Sequence, residues 1–294
     1  MQALYDLPAP AKLNLFLHIV GRRTDGYHLL QSVFALVDWA DTLHLECRAD
    51  GALARHDLGP ALPPDDLCLR AARALQQASG TSLGVDISID KQVPWGAGLG
   101  GGSSDAATVL LGLNRLWGLH WPRERLAALA LTLGADVPFF IGGTHAFVEG
   151  IGERLTPLPA GALPDQWFAI VKPAPAIATA AIFGSPHLAR DTKPAIVMDF
   201  LADASRLLDI ATDYGHNDLQ KPAEMACSEV TKVARWLEAR FGNSRMTGSG
   251  SAVFARAGAG DQPTATWSAD VLPPDWVGRM CRSRSRHPLA DWVD

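Results

Sequence analysis

Residues 94–105 read Pro94-Trp95-Gly96-Ala97-Gly98-Leu99-Gly100-Gly101-Gly102-Ser103-Ser104-Asp105, five glycines and two serines in one short run. Ahead of it, Leu83, Val85, Ile87 and Ile89 alternate with Gly84, Asp86, Ser88 and Asp90, the period of a half-buried strand. Behind it, Ala106, Val109, Leu110, Leu113 and Trp117 recur at helical spacing. Strand, glycine run and helix in that order restrict what the chain can build. The glycines remove the Cβ atoms that would keep an anion away from successive backbone N–H groups. A helix starting near Ser103 adds its unpaired N–H groups and the positive end of its dipole. The segment is built as a phosphate cradle.

Two common cradles do not match. A P-loop needs Gly-Lys-Ser/Thr after the glycines, and the chain contains no Gly-Lys dipeptide. Gly96, Gly98 and Gly101 spell the GxGxxG of a dinucleotide fold, but the acidic ribose-binding residue expected about 20 positions later is missing from Leu116-Trp117-Gly118-Leu119-His120-Trp121. Charge narrows the partners further. With 26 Lys and Arg against 31 Asp and Glu, the net −5 gives no field to concentrate nucleic acid or an anionic membrane, so any phosphate must be held locally. Small molecules, not nucleic acid or membrane, are the expected partners, and oligomeric state is left open.

Cys47, Cys68, Cys227 and Cys281 form no CxxC unit, which points to a reducing compartment, and the histidines show no HExxH zinc motif. No apolar run reaches the ~18 residues of a membrane span. The first apolar run, Leu13 to Val20, contains Asn14 and His18 and leads into Gly21-Arg22-Arg23, unlike a secretory signal. A cytoplasmic protein is expected.

Further half-buried strands are expected where Leu13, Leu15, Leu17 and Ile19 alternate with Asn14, Phe16, His18 and Val20, and around Leu43, Leu45 and Cys47. Helical spacing runs from Pro122, in a first turn, to Leu133 before Gly134, and through Val230, Val233, Leu237 and Phe241 before Gly242, both glycines suiting C-terminal caps. Proline, glycine and alanine cluster between Thr156 and Asp165, which places a domain boundary there and divides the chain into 1–160 and 161–294. Segments 185–195 and 257–275 read as loops, and Arg279, Arg282, Arg284 and Arg286 as a solvated face.

Three more segments complete the pattern: Pro10-Ala11-Lys12-Leu13-Asn14-Leu15, Gly134-Ala135-Asp136-Val137-Pro138-Phe139-Phe140, and Thr247-Gly248-Ser249-Gly250-Ser251-Ala252 before Val253-Phe254-Ala255. With the glycine run, this set resembles the GHMP kinase superfamily, whose motifs fall in this order. Arg23-Thr24-Asp25-Gly26-Tyr27-His28 narrows the resemblance to the branch whose acceptor is a cytidine-diphosphate-linked methylerythritol of non-mevalonate isoprenoid synthesis. The resemblance implies transfer of the ATP γ-phosphoryl group to the C2 hydroxyl of that acceptor. It implies an α+β fold of two domains, an N-terminal one of the ribosomal-protein-S5 second-domain type and a ferredoxin-like C-terminal one, with ATP and acceptor meeting in the cleft between them.

Carried over by motif, the catalytic residues are Lys12 and Asp136. The ATP-binding set is Pro94, Gly96, Ala97, Gly98, Leu99, Gly100, Gly101, Gly102, Ser103 and Ser104, with Lys91 just ahead of the loop; the substrate-binding set is Asn14, Tyr27, His28 and Asp136. Residue chemistry agrees. An acceptor hydroxyl must lose its proton, which a carboxylate such as Asp136 can take, while Lys12 offsets charge on the transferring group. Tyr27-His28 follows the turn signal Asp25-Gly26, which presents both side chains at a loop edge, and the resemblance implies that the ring stacks on the cytosine and the histidine reads its polar edge. Mg²⁺ is implied with ATP, Ser103 or Ser104 offering a hydroxyl, and no dedicated metal site is assigned.

Two alternatives remain: a homoserine- or mevalonate-type kinase, whose acceptor has no base to stack, and a non-catalytic nucleotide sensor, which needs no proton acceptor. Two departures from the family pattern stand out. Asp65-Asp66-Leu67 sets negative charge beside the expected adenine side, and Asn217-Asp218-Leu219-Gln220 carries Gln at a helix start where Glu is usual.

Overall fold

The computed structural model describes residues 2–195, 215–267 and 271–294. Two long strands, β1 (Ala3–Arg22) and β2 (His28–Arg48), form an antiparallel ribbon around the turn that contains Asp25-Gly26. Its length lets β2 serve two neighbours. Residues 42–48 pair with β4 (Gly84–Asp90), to which β3 (Leu53–Asp57) adds in parallel, while residues 32–34 pair with β5 (Ala146–Glu149), followed by β6 (Arg154–Pro157). Helices α1 (Leu67–Ser79), α2 (Gly101–Leu116), α3 (Arg123–Leu131) and α4 (Val137–Gly142) share one core with this sheet. Ser104 through Asn114 of α2 are buried without a break. A Cβ on Gly112 would lie 2.4 Å from Leu45 Cδ1, so the glycine lets helix and sheet approach closely.

The second sheet has the order β10-β7-β9-β8 and is antiparallel throughout: β7 (Gln166–Lys172), β8 (Arg245–Met246), β9 (Val253–Ala259) and β10 (Val277–Arg282). One face carries α7 (Ser228–Phe241), whose Val230, Val233 and Leu237 pack with Val171, Val253 and Ala255; α5 (Thr179–Phe183) and α6 (Gln220–Ala226) border the same core. Through Phe168, Ile170 and Phe254 the other face meets Leu13, Leu15 and Val37.

That contact corrects the expectation of a half-buried first strand. Residues 9–19 are all buried, polar ones included, because β1 lies between its own helical layer and the second sheet. Beyond β10 the chain returns to the first layer, where Leu289 and Val293 join its core and Arg123 donates to the carbonyls of Ala290 and Val293 at 2.7 Å each.

Local signals fared unevenly. Val85, Ile87 and Ile89 are buried on β4 as the alternation predicts, and Gly242 caps α7 in the left-handed conformation. Pro122 precedes α3 instead of opening it, and α3 ends at Leu131 under a right-handed Thr132, so Gly134 is no cap. Residues 257–259 belong to β9 and not to a loop, and 268–270 of that segment lie outside the described residues. Among the described residues no helix is long and apolar enough to cross a membrane.

Candidate active site

The glycine loop is turned so that its carbonyls face the protein. Gly96 O accepts from Ser251 N and Ala97 O from Ala252 N, both at 3.2 Å. Gly98 O accepts from Lys12 Nζ at 3.1 Å and Thr247 Oγ1 at 3.3 Å. Leu99 O takes the Lys12 N–H, and Gly100 O the Ser104 N–H, each at 2.9 Å. By contrast, none of the backbone N–H groups from Gly96 to Ser103 donates to a protein acceptor among the described residues. They are left for an anion.

Alternating positive φ at Gly96, Gly98 and Gly100 (65°, 73° and 71°) produces this facing, and a Cβ on Gly98 would sit 2.2 Å from Thr247 O. The first turn of α2 starts at Gly101, two residues earlier than expected. Its N-cap, Gly100, makes no side-chain cap bond, so the amides ahead of Ser104 stay free.

The loop walls a cavity of about 380 Å³ that Trp95, Asp66, Arg70, Lys91 and Ser103 also line. Asp66 does not bring uncompensated charge there. It caps α1 by accepting from Leu69 N at 3.1 Å and pairs with Arg55 at 2.9 Å. Lys91 reaches the wall with its ammonium already occupied, donating to Asp41 and, at 2.7 Å, to Asp105. Asp41 also accepts from Gln92 N and Val93 N. Burial, reinforced by Asp41, pushes the Asp105 carboxyl well above the usual carboxylate range despite Lys91. The Ser104 hydroxyl is buried without a partner among the described residues, and Ser103 is the serine that lines this cavity.

Beyond the loop lies a second cavity, about 330 Å³, holding Lys12, Asn14, Asp136 and Gly248–Gly250. Lys12 Nζ stands 3.7 Å from Asp136 Oδ2, donates to Asn14 Oδ1 and lies 4.6 Å above the Phe34 ring. Burial pushes its pKa down, and the Asp136 charge opposes that shift. Asn14 is oriented by Ser32, whose Oγ accepts from its Nδ2 at 2.9 Å, and by Thr247, whose Oγ1 accepts from its backbone N at 2.9 Å. Asp136 precedes α4 without capping it, and its side chain is one-third exposed, so its carboxylate is available to a ligand. Asn217 fixes the third motif by donating to the carbonyls of Met246 (2.7 Å) and Gly248 (2.9 Å), while Gln220 Oε1 accepts the Met246 N–H.

A third cavity, about 620 Å³, contains Tyr27 and His28 with Leu30, Ile151, Thr179 and Phe183. The turn that presents them has Gly26 at φ 93°, and Asp25 Oδ1 accepts from Tyr27 N. Arg23 and Asp25 pair with each other at 2.6 Å. Tyr27 is 60% exposed, whereas His28 lies against the Phe183 ring with 5.1 Å between centroids. Neighbouring cavities share walls: Gly96, Gly98 and Gly100 between the first two, and Leu30, Ile151, Thr179 and Phe183 between the last two. Three adjoining cavities therefore line up from the glycine loop past Lys12 and Asp136 to Tyr27, and together they make up the cleft.

Sequence reasoning did not find Phe183, Thr179, Ile151 or Arg190, whose Nε donates to His28. They come from segments without motifs, and an aromatic residue ending an alanine-rich stretch was the sole hint at Phe183.

Family profiles match two stretches of the chain. The profile described as GHMP kinases N terminal domain matches residues 66–144, and that described as GHMP kinases C terminal matches 197–265. The chain is 66% identical, over all of its length and 99% of the relative's, to a protein of Methylibium petroleiphilum named 4-diphosphocytidyl-2-C-methyl-D-erythritol kinase. A protein of the same name from Polaromonas naphthalenivorans is 53% identical over 99% of this chain and 97% of its own. This chain belongs to the 4-diphosphocytidyl-2-C-methyl-D-erythritol kinase family.

A crystal structure of 4-(cytidine 5'-diphospho)-2C-methyl-D-erythritol kinase superposes on this kinase with a TM-score of 0.72 at 38% identity, covering 86% of this chain and 90% of that one. Homoserine kinase from Cytophaga hutchinsonii, 16% identical, shares the fold with a TM-score of 0.66 over 98% of this chain and 96% of its own. The α+β GHMP kinase fold expected from the motifs is the fold of this chain.

Proposed function

We propose that this kinase transfers the γ-phosphoryl group of ATP to the C2 hydroxyl of 4-diphosphocytidyl-2-C-methyl-D-erythritol, giving the 2-phosphate and ADP for non-mevalonate isoprenoid synthesis. The observation that carries the reading is the aromatic cavity of Tyr27, His28 and Phe183 at the far end of the cleft from the glycine loop. Homoserine and mevalonate have no ring to place there.

In this reading the free amides of 96–103 bind the triphosphate, and Asp136 takes the proton of the C2 hydroxyl as its oxygen bonds to the γ-phosphorus. The bond from that phosphorus to the bridging oxygen of ADP breaks, and ADP leaves. Lys12, held near Asp136 and Gly98 O, offsets charge on the transferring group. Asn14 fixes the ammonium, and Lys91 supports the loop through Asp105 rather than by direct charge on phosphate.

Magnesium fits as the ion of the nucleotide. Ser103 offers a hydroxyl oxygen on the cradle wall, and phosphates and water complete the set. Bound there, it neutralises phosphate charge. We assign 1–160 to an ATP-binding unit and 161–294 to a second unit whose last residues return to the first, and we assign the enzyme to the cytoplasm, where its four free cysteines stay reduced. A coupled assay of ADP release tests the whole reading. Turnover is expected with the cytidyl acceptor and not with homoserine or mevalonate; comparable kcat/KM for either of those overturns it.

A further inference from the structure

Arg190 lies in a stretch the sequence marks only as a loop, yet its guanidinium makes four hydrogen bonds. Nη1 donates to Leu188 O at 3.1 Å, and Nη2 to Phe183 O at 3.1 Å and Ser185 O at 2.9 Å. Nε donates to His28 Nε2 at 3.1 Å. One side chain thus ties the backbone of the Phe183 segment to the imidazole across the cavity.

The chemistry of that last bond is one-sided. A guanidinium stays protonated and has no acceptor, so His28 Nε2 must present its lone pair. A neutral imidazole then carries its hydrogen on Nδ1. Among the described residues Nδ1 has no protein partner, and His28 lines the cavity.

We propose that Arg190 is a positioning residue that fixes His28 as the Nδ1–H tautomer, so that the cavity offers one imidazole donor, matched to the N3 acceptor of cytosine and mismatched to the N3–H of uracil. This rests on the reading of the cavity as the nucleobase site. The charged groups around His28 are Arg190 from beyond α5 and Arg22 from the end of β1, with Asp25 and Tyr27 on the same wall. Asp25 is paired with Arg23. Burial first, then the Arg190 and Arg22 charges, pushes the His28 pKa below its ordinary value, which favours the neutral ring.

The first test needs no variant. In ¹⁵N-labelled enzyme near neutral pH, NMR of the imidazole nitrogens should show a protonated Nδ1 and an unprotonated Nε2 for His28, the signals being identified by their loss in His28→Gln. An Nε2–H tautomer or an imidazolium overturns the proposal.

The second test is Arg190→Met. It should raise KM for the cytidyl acceptor about tenfold, the factor of one hydrogen bond, and narrow the preference for cytidyl over uridyl acceptor by a similar factor. KM for ATP should stay within about twofold. In the variant the imidazole should also take up its second proton at a higher pH than in the parent, read from the same nitrogen signals, because the Arg190 charge no longer opposes it. Arg190→Lys, which keeps a donor for Nε2, should restore the tautomer and part of the preference; restored folding without either would show a purely structural role and overturn the proposal.

His28→Gln separates the two levels of inference. If it leaves the cytidyl KM unchanged, the nucleobase reading itself fails. If it raises that KM while Arg190→Met alters neither tautomer nor base preference, the base site stands and the role of Arg190 falls.

Discussion

At one end of the cleft, residues 96–103 present free backbone amides in an unbroken run. At the other, Tyr27 and His28 meet Phe183 and, 162 positions away from His28, Arg190. In the proposed reading the first site works through main chain and the second through side chains. A triphosphate is the same in every nucleotide, so a row of N–H groups set by glycine dihedrals is sufficient for it. A base must be told from other bases, which takes directional donors and a flat surface to stack on. Each end should therefore fail differently: the loop to an added Cβ, the base cavity to a lost ring or a changed tautomer. Between them stand Asp136 and Lys12.

The largest effect is expected where the two ends meet. Asp136→Asn keeps the shape of the side chain and removes the proton acceptor, and general-base contributions run to about 10²–10⁴-fold, so kcat should fall by that factor. ATP affinity by calorimetry and KM for the cytidyl acceptor should change little, since no hydrogen bond from Asp136 supports either end. A folded variant with kcat within about threefold of the parent removes Asp136 from the chemistry and leaves Lys12 and the phosphate charge to act by positioning alone.

Gly98→Ala breaks the main-chain end. Its φ of 73° disfavours any side chain, and the new Cβ would meet Thr247 O at 2.2 Å, a backbone atom that cannot rotate aside. Strain of about 1–3 kcal/mol at the residue, with overpacking of similar size, should weaken ATP binding by more than about tenfold. The acceptor KM should respond far less. If instead both ends weaken together, the cleft is one coupled unit and the contrast between them is lost.

The same contrast decides what could be read before the structure. The glycine loop was legible because its residues are contiguous and its glycines act locally, although the helix expected to start near Ser103 starts at Gly101, behind the left-handed Gly100. Lys12 and Asp136 were legible through their motifs, and the fold brings them to 3.7 Å. Strand β1 was misread as half-buried because alternation reports polarity, and its polar residues are enclosed as well: Lys12 by Gly98 and Phe34, Asn14 by Ser32 and Thr247, His18 by Phe16 and His216. Lys91 does line the cavity of the glycine loop, but nothing local reveals that Asp41, fifty positions away, accepts from its ammonium. Phe183 and Arg190 carried no motif at all. Their part depends on tertiary placement beside a turn near the other end of the chain.

The smallest effect is expected at that turn. Tyr27 is 60% exposed, and its hydroxyl makes no hydrogen bond among the described residues, so folding does not depend on the ring and Tyr27→Ala should leave Tm unchanged. Stacking on a base is worth about 1–3 kcal/mol by alanine substitution, which raises KM for the cytidyl acceptor about 5- to 150-fold with kcat and the ATP KM nearly constant. Tyr27→Phe should behave as the parent, because the face of the ring and not its hydroxyl is used. A rise in the Phe variant equal to that in the Ala variant would assign the contact to the hydroxyl. An unchanged acceptor KM in both would move the base off Tyr27 and onto Phe183, which lies against His28 on the opposite segment of the same cavity and can stack a ring from that side.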